Sequence, residues 1–247
     1  MTLAFEVTGA GPDVLLLHST VCDRRMWDPQ VPDLVAAGFR VTRCDFRGFG
    51  DSPIPDRPWN DADEIVELLG GRPFAVVGAS GGGQLGLEIA ARWPERVTAL
   101  ALLCTALPGH PKSPQRLAFA GEEDALVTAG DLDAATELNV RTWVGPAAGP
   151  EQREAVRVMQ RRVFELQPPD MPEPEQIEVE WELDTIVART LLLSGAYDLP
   201  DFREIAVHLA GVLPDARHVE LDWAGHLPSL ERPELVNPLL IDFLRAV

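Results

Sequence analysis

The stretch Phe74-Ala75-Val76-Val77-Gly78-Ala79-Ser80-Gly81-Gly82-Gly83 runs from a short apolar segment into a glycine cluster with one hydroxyl at its centre. Beyond it, Leu85 and Ile89 recur four residues apart, which places them on one face of a helix from Ser80 to Trp93. Strand, sharp turn and helix in that order frame a G-x-S-x-G pattern. A serine at such a turn sits in strained backbone geometry, so its neighbours must lack bulky side chains, and Gly78, Ala79, Gly81 and Gly82 comply. The helix start then offers free N–H groups and the positive end of a dipole to a forming oxyanion. A glycine-rich turn also serves close packing alone, or cradles a phosphate. Against the phosphate reading, Gly78 to Gly83 does not spell G-x-G-x-x-G, and no G-x-x-x-x-G-K-[ST] occurs in the chain.

Outward from this turn, apolar runs alternate with helical patterns. Strands are expected at Ala4 to Thr8, Val14 to His18, Arg40 to Asp45, Phe74 to Gly78, Thr98 to Leu103, Thr190 to Ser194 and His218 to Leu221. Further helices are expected at Trp27 to Ala37, Ala62 to Leu69, Phe202 to Val212 and Leu239 to Ala246, where Pro238 predicts a late start or a kink. The alternation specifies an α/β fold, a mostly parallel sheet flanked by helices on both faces. It stops between residues 105 and 183. There a Pro/Gly-rich lead-in precedes helical patterns at Leu117 to Ala129, Leu132 to Trp143 and Gln152 to Leu166, without a convincing strand. The expected organisation is a core of residues 1–104 and 184–247, with 105–183 as a helical cap insertion.

The balance of 39 acidic against 21 basic residues gives a net charge of −18, which repels phosphates and argues against nucleic acid as a partner. No apolar run is long enough to span a bilayer and no secretory signal opens the chain, so the expected location is cytoplasmic, without membrane attachment. The three cysteines form no C-x-x-C pair and read as reduced thiols, Cys44 and Cys104 as buried small hydrophobes. Cys22, just after a strand, is a candidate pocket residue. Lys112 is the only lysine, which reads as a compositional trait.

A serine hydroxyl needs a general base within reach and a third group to orient that base. Five histidines compete. His18 ends a strand, His110 opens the insertion, His208 lies in a helical pattern and His218 starts a strand. His226, in the loop Trp223-Ala224-Gly225-His226-Leu227-Pro228 between the last strand and the last helix, is placed to face the serine turn. Asp198 follows the strand before it and is the chosen acid. Its competing role is a helix cap, and Asp222 is the reserve. The order Ser80, Asp198, His226 places the three residues after three different strands.

On these motifs the chain resembles the α/β-hydrolase superfamily, in particular its small bacterial branch of esterases, lactonases, cofactor-free haloperoxidases and carbon–carbon bond hydrolases. Leu15-Leu16-Leu17-His18-Ser19-Thr20 looks like that family's oxyanion loop, and Asp45-Phe46-Arg47-Gly48-Phe49-Gly50-Asp51-Ser52 like its D-x-R-G-x-G-x-S turn. The resemblance implies a catalytic triad of Ser80, Asp198 and His226, with an oxyanion hole from the amides of Thr20 and Gly81. Ser19 stands where the family usually has glycine, which predicts a strained or shifted loop. His18, Arg47 and Asp51 are expected to tie loops down. Leu138, Trp143 and Phe164 of the insertion are the candidate apolar pocket contacts. The implied function is a serine hydrolase, cleaving a small ester, lactone or thioester through an acyl-enzyme, with no metal or organic cofactor. A serine at the turn weighs against epoxide hydrolases and haloalkane dehalogenases, whose relatives use aspartate. A receptor-like small-molecule binder, and lyase or perhydrolase chemistry on the same triad, stand as alternatives.

Overall fold

The computed structural model describes residues 3–168, 170–171 and 175–246. Among the described residues, β1 (Phe5–Gly9), β2 (Asp13–Leu17), β3 (Arg40–Cys44), β4 (Phe74–Ala79), β5 (Val97–Leu103), β6 (Arg189–Gly195) and β7 (Ala216–Leu221) form one sheet. Its order is β1-β3-β2-β4-β5-β6-β7. Each strand coincides with an expected one, its ends moved by one or two residues. Only β1 is antiparallel, against β3, and all other neighbours are parallel.

A parallel sheet covered on both faces has no solvated side to populate with polar residues, and β2 and β4 are accordingly buried at every position. The two-residue alternation of strand side chains sends Val14, Leu16, Ala75 and Val77 into one core and Leu15, Leu17, Phe74 and Val76 into the other. The first core is closed by Leu34 of α1 (Val31–Ala36) and by the C-terminal helix described below. The second is closed by α2 (Asp61–Glu67), α3 (Gly81–Arg92) and, past the insertion, α7 (Pro200–Val212).

Between β5 and β6 lie α4 (Pro114–Thr128), α5 (Leu132–Trp143) and α6 (Pro150–Leu166), the three helices expected there. The segment after them is not wholly free of pairing. Trp59 bridges Gln176, with the Trp59 amide donating to Glu175 and the Ile177 amide donating to Trp59, so the end of the insertion is pinned beside α2. Within the acidic, proline-rich sequence from Pro168 to Glu182, residues 169 and 172–174 lie outside the described residues.

Two helix starts differ most from the sequence reading. The first expected helix splits into a short 3-10 turn over Arg24–Trp27 and α1, with Pro29 between them unable to donate a backbone hydrogen bond. At the other end, a single-turn helix α8 (Pro228–Glu231) leads into α9 (Pro233–Arg245), which begins well before Leu239 and runs through Pro238. Pro233 occupies a starting position where a missing N–H costs nothing. Val236, Leu240 and Leu244, spaced four apart and buried, hold the helix on the sheet on both sides of Pro238. Packing thus outweighs the lost backbone bond.

Candidate active site

Ser80 joins β4 to α3 with φ 53° and ψ −117°, a conformation that side-chain-bearing residues rarely adopt. The surrounding backbone over-determines it. The Ser80 amide donates to Leu103 at 2.9 Å, and its carbonyl accepts from the amides of Gly83, Gln84 and Ala106 at 2.9, 3.0 and 3.1 Å. A Cβ at position 78 would lie 2.4 Å from the Gly82 carbonyl oxygen, and one at 82 would lie 2.4 Å from the carbonyl oxygens of Leu17 and His18. The glycines of the motif are therefore required by close approach of the helix start to its own strand and to the end of β2.

His226 and Asp198 meet behind this turn. The Nδ1 of His226 lies 2.7 Å from Oδ2 of Asp198, both side chains being buried. Oδ1 of Asp198 accepts from the Leu199 amide at 2.7 Å. Because a carboxylate only accepts, Nδ1 carries the proton and Nε2 is left as an acceptor. The amide of His226 donates to the carbonyl of Trp143 at 3.2 Å, and the imidazole packs against the rings of Trp143 and Phe202, with centroids 4.6 and 4.2 Å away. A helix of the insertion and a helix of the core thus grip one imidazole. Asp198 does not cap α7, and the reserve carboxylate Asp222 is exposed.

Ser80 and His226 line one cavity of about 320 Å³ together with Thr20, Gly81, Trp143 and Phe202. Among the described residues the amides of Thr20 and Gly81 donate to no protein group. The two residues are adjacent, since a Cβ on Gly81 would fall 2.6 Å from Cγ2 of Thr20. A second hollow of about 540 Å³ shares Thr20, Phe119 and Trp143 with the first and reaches Phe164. Trp143 and Phe164 are therefore cavity residues. Cys22 and Leu138 are not, because Cys22 is fully buried beside Met26 and Trp27 and Leu138 is buried on α5, and neither contributes to the two hollows. A larger cavity of about 730 Å³ lies elsewhere, lined by Arg24, Arg157, Asp133 and other charged side chains, and holds no serine or histidine.

The supporting residues behave as loop ties. Phe46 donates its amide to Nε2 of His18 at 3.0 Å, so the proton of His18 is on Nδ1, which donates to the Ser19 carbonyl at 2.9 Å. Burial lowers the pKa of His18, which keeps the ring neutral, and it stacks on Phe46 at 3.8 Å. Ser19 does not take a positive φ, and its amide donates to Sδ of Met26, so the serine replaces glycine without the strain expected of it. Asp51 pairs with Arg24 and Arg47 with Glu64. Cys104 is buried with φ 45°, and its thiol donates to the Gly225 carbonyl at 3.6 Å. Its sulfur and the nearby atoms of Asp198 and His226 lie within 4.8 Å of one another, but burial pushes the thiol pKa well up, so it remains a protonated neighbour of the pair.

Several cavity residues escaped the sequence reading, Phe202, Lys112 and Arg116 among them. Phe202 sits four residues beyond Asp198 on α7, a spacing that suggests ordinary core packing, and Lys112 and Arg116 flank the start of α4. Only the topology brings them to Ser80.

The model of the alpha/beta hydrolase family matches residues 14–239. The chain belongs to that family. This α/β hydrolase is 31% identical over 186 residues to a pimeloyl-acyl-carrier-protein methyl ester esterase of Methylococcus capsulatus, covering 70% of this chain and 68% of the relative. The chain thus spans about two thirds of the length of such curated relatives. A shorter stretch of 119 residues is 38% identical to bifunctional epoxide hydrolase 2 of Rattus norvegicus, covering 44% of this chain and 22% of that protein. Among solved structures, the enol-lactonase of Burkholderia xenovorans superposes with a TM-score of 0.78 at 25% identity, covering 98% of this chain and 96% of the other. Among the described residues of this hydrolase, no helix is long and apolar enough to cross a membrane.

Proposed function

We propose that this hydrolase cleaves small carboxylic esters, lactones or thioesters by acyl transfer through Ser80. The observation that carries the reading is the buried His226–Asp198 bond, which leaves Nε2 of an imidazole as a proton acceptor in the same cavity as the Ser80 hydroxyl. His226 takes the Ser80 proton as Oγ attacks the carbonyl carbon, and Asp198 stabilises the imidazolium that forms. The amides of Thr20 and Gly81 hold the oxyanion. The protonated imidazole gives its proton to the departing alcohol, and water, deprotonated by His226, then splits the acyl-enzyme. Named relatives include methyl ester esterases and an enol-lactonase, which makes methyl esters and lactones the first substrates to assay. An aspartate nucleophile of the epoxide hydrolase kind has no counterpart at the turn, where position 80 is serine.

The test is labelling by a fluorophosphonate together with turnover of p-nitrophenyl esters, methyl esters and lactones. Stoichiometric modification at Ser80, with turnover lost by roughly 10⁴-fold or more in Ser80→Ala, is the expected result. Modification that persists in Ser80→Ala, or an inert Ser80 beside tight ligand binding, refutes the reading and favours a receptor-like protein.

A further inference from the structure

The site's local charge opposes that of the whole chain. With 39 acidic and 21 basic residues, an average surface of this protein repels anions. Yet no carboxylate lines the cavity that holds Ser80 and His226, and its permanently charged side chains are Lys112 and Arg116. Lys112 is the chain's only lysine, and among the described residues its ammonium makes no ion pair or hydrogen bond.

Arg116 is held by an aromatic ring and by one long ion pair. Its guanidinium lies 5.0 Å from the centre of the Phe202 ring, and that ring is in turn 4.2 Å from the His226 imidazole, so one aromatic side chain separates the cation from the general base. The nearest acid is Asp201, whose Oδ1 stands 3.8 Å from Nη1 and already accepts the Ser113 amide at 2.9 Å. Guanidinium donors at that distance remain open to a better-placed acceptor. The planar fork of arginine matches a carboxylate, and an ammonium beside it adds a second point charge.

We infer that the natural substrate is an ester bearing a free carboxylate, held by Lys112 and Arg116 while Ser80 attacks the ester carbonyl. The inference rests on the acyl-transfer reading of the site and adds the substrate's charge to it. The charge of the lining favours this class over a neutral ester of the same size. The cationic side of the cavity sits across Phe202 from the reacting end, a separation suited to a molecule with an ester at one end and an anion at the other.

The test compares monomethyl succinate and monomethyl glutarate with their neutral amide isosteres, methyl succinamate and methyl glutaramate, by kcat/KM at low and high salt. The expected result is about a tenfold or larger preference for the carboxylates, diminishing as salt screens the cations. In Lys112→Gln with Arg116→Gln the carboxylate-to-amide ratio falls to near one, and in Arg116→Glu it inverts. Taking the ratio within each variant cancels any loss of folded enzyme. A ratio near one in the unsubstituted enzyme, or one unchanged in the variants, overturns the charge assignment and leaves the esterase reading standing. Failure to turn over any ester, with Ser80 unlabelled by fluorophosphonate, overturns both.

Discussion

Replacing Glu231 by glutamine should injure catalysis without touching any residue that lines the cavity. Glu231 ends α8, five positions after His226, and is 2% exposed. Its carboxylate reaches back to the loop on both sides of His226. The Gly225 amide donates to Oε2 at 2.9 Å and to Oε1 at 3.1 Å, and the Leu227 amide donates to Oε1 at 3.1 Å. Burial raises the pKa of this carboxyl, while the amides of Gly225, Gly145 and Leu227 pull it back down. Glutamate is suited to the position because both of its oxygens accept.

Glutamine offers one acceptor and sets an NH₂ group against the remaining backbone donor. One buried amide then loses its partner, which costs about 1–3 kcal/mol. The loss of a buried charge offsets part of this, so a net destabilisation of about 2 kcal/mol is expected. The larger effect falls on the loop. His226 must present Nε2 to Ser80, and a displacement of about 1 Å at such a site lowers turnover by roughly 100-fold. Urea denaturation at constant pH gives the stability term, and kcat and KM on p-nitrophenyl acetate, with the rate of fluorophosphonate labelling, give the functional one. The expected pattern is a lowered kcat and slowed labelling with little change in KM. A Glu231→Gln enzyme with parental kcat and unchanged stability refutes the assignment of Glu231 as a positioning residue.

Gly81→Ala should lower kcat by about 10²-fold, because the added Cβ meets Cγ2 of Thr20 at 2.6 Å and displaces an oxyanion donor; adding Thr20→Ser, which removes that methyl, should restore most of the rate. Asp198→Asn should lower kcat by about 10⁴-fold with the stability largely retained, since an amide no longer holds the proton on Nδ1 of His226. Asp61, buried at the start of α2, has its carboxyl raised by burial from 3.8 to about 6. The folded state therefore binds its proton more tightly than the unfolded state, and the sign of the linkage makes stability fall as pH rises from about 3.8 to 6, by at most about 3 kcal/mol, and level off above. Asp61→Asn should remove that part of the slope, as read by thermal or urea unfolding between pH 4 and 8.

The central strands β2, β4, β5 and β6 were legible because they are near-continuous apolar runs, a pattern that parallel strands covered on both faces impose, whereas the outer strands β1, β3 and β7 carry charged residues. The serine, the aspartate and the histidine of the candidate site each follow a strand within a few residues. What the sequence concealed was decided by contacts between distant segments. Pro238 reads as a helix breaker in isolation, and only the packing of Val236, Leu240 and Leu244 on the sheet reveals why α9 continues through it. Cys22 reads as a pocket residue from its place after β2, but the following 3-10 turn packs Met26 and Trp27 with it in the core. Lys112 and Arg116 carry no motif, and their relation to the serine exists only once α4 lies over the ends of the strands. Glu231 gives no sequence signal of its role either, since a glutamate in a short helix ordinarily faces water.

The site's geometry follows from the sheet order more directly than from any motif. Strands β4, β5, β6 and β7 are consecutive neighbours, and the segments leaving their carboxyl ends carry Ser80, Cys104, Asp198 and His226 in that spatial sequence. Parallel pairing sets Ala79 beside Leu103, Leu103 beside Leu193 and Gly195 beside Leu221, so the four segments emerge at one edge of the sheet. In open α/β sheets that edge is where ligands bind. Cys104 stands between the serine strand and the aspartate strand, and its left-handed backbone turns the chain away into the insertion at that point. The insertion then returns over the same edge, where Trp143 packs on the imidazole and accepts the His226 amide. A hydroxyl at residue 80 and an imidazole–carboxylate pair more than a hundred residues later in the chain are thus brought to one edge of the sheet by backbone register, which is the arrangement that the proposed acyl transfer requires.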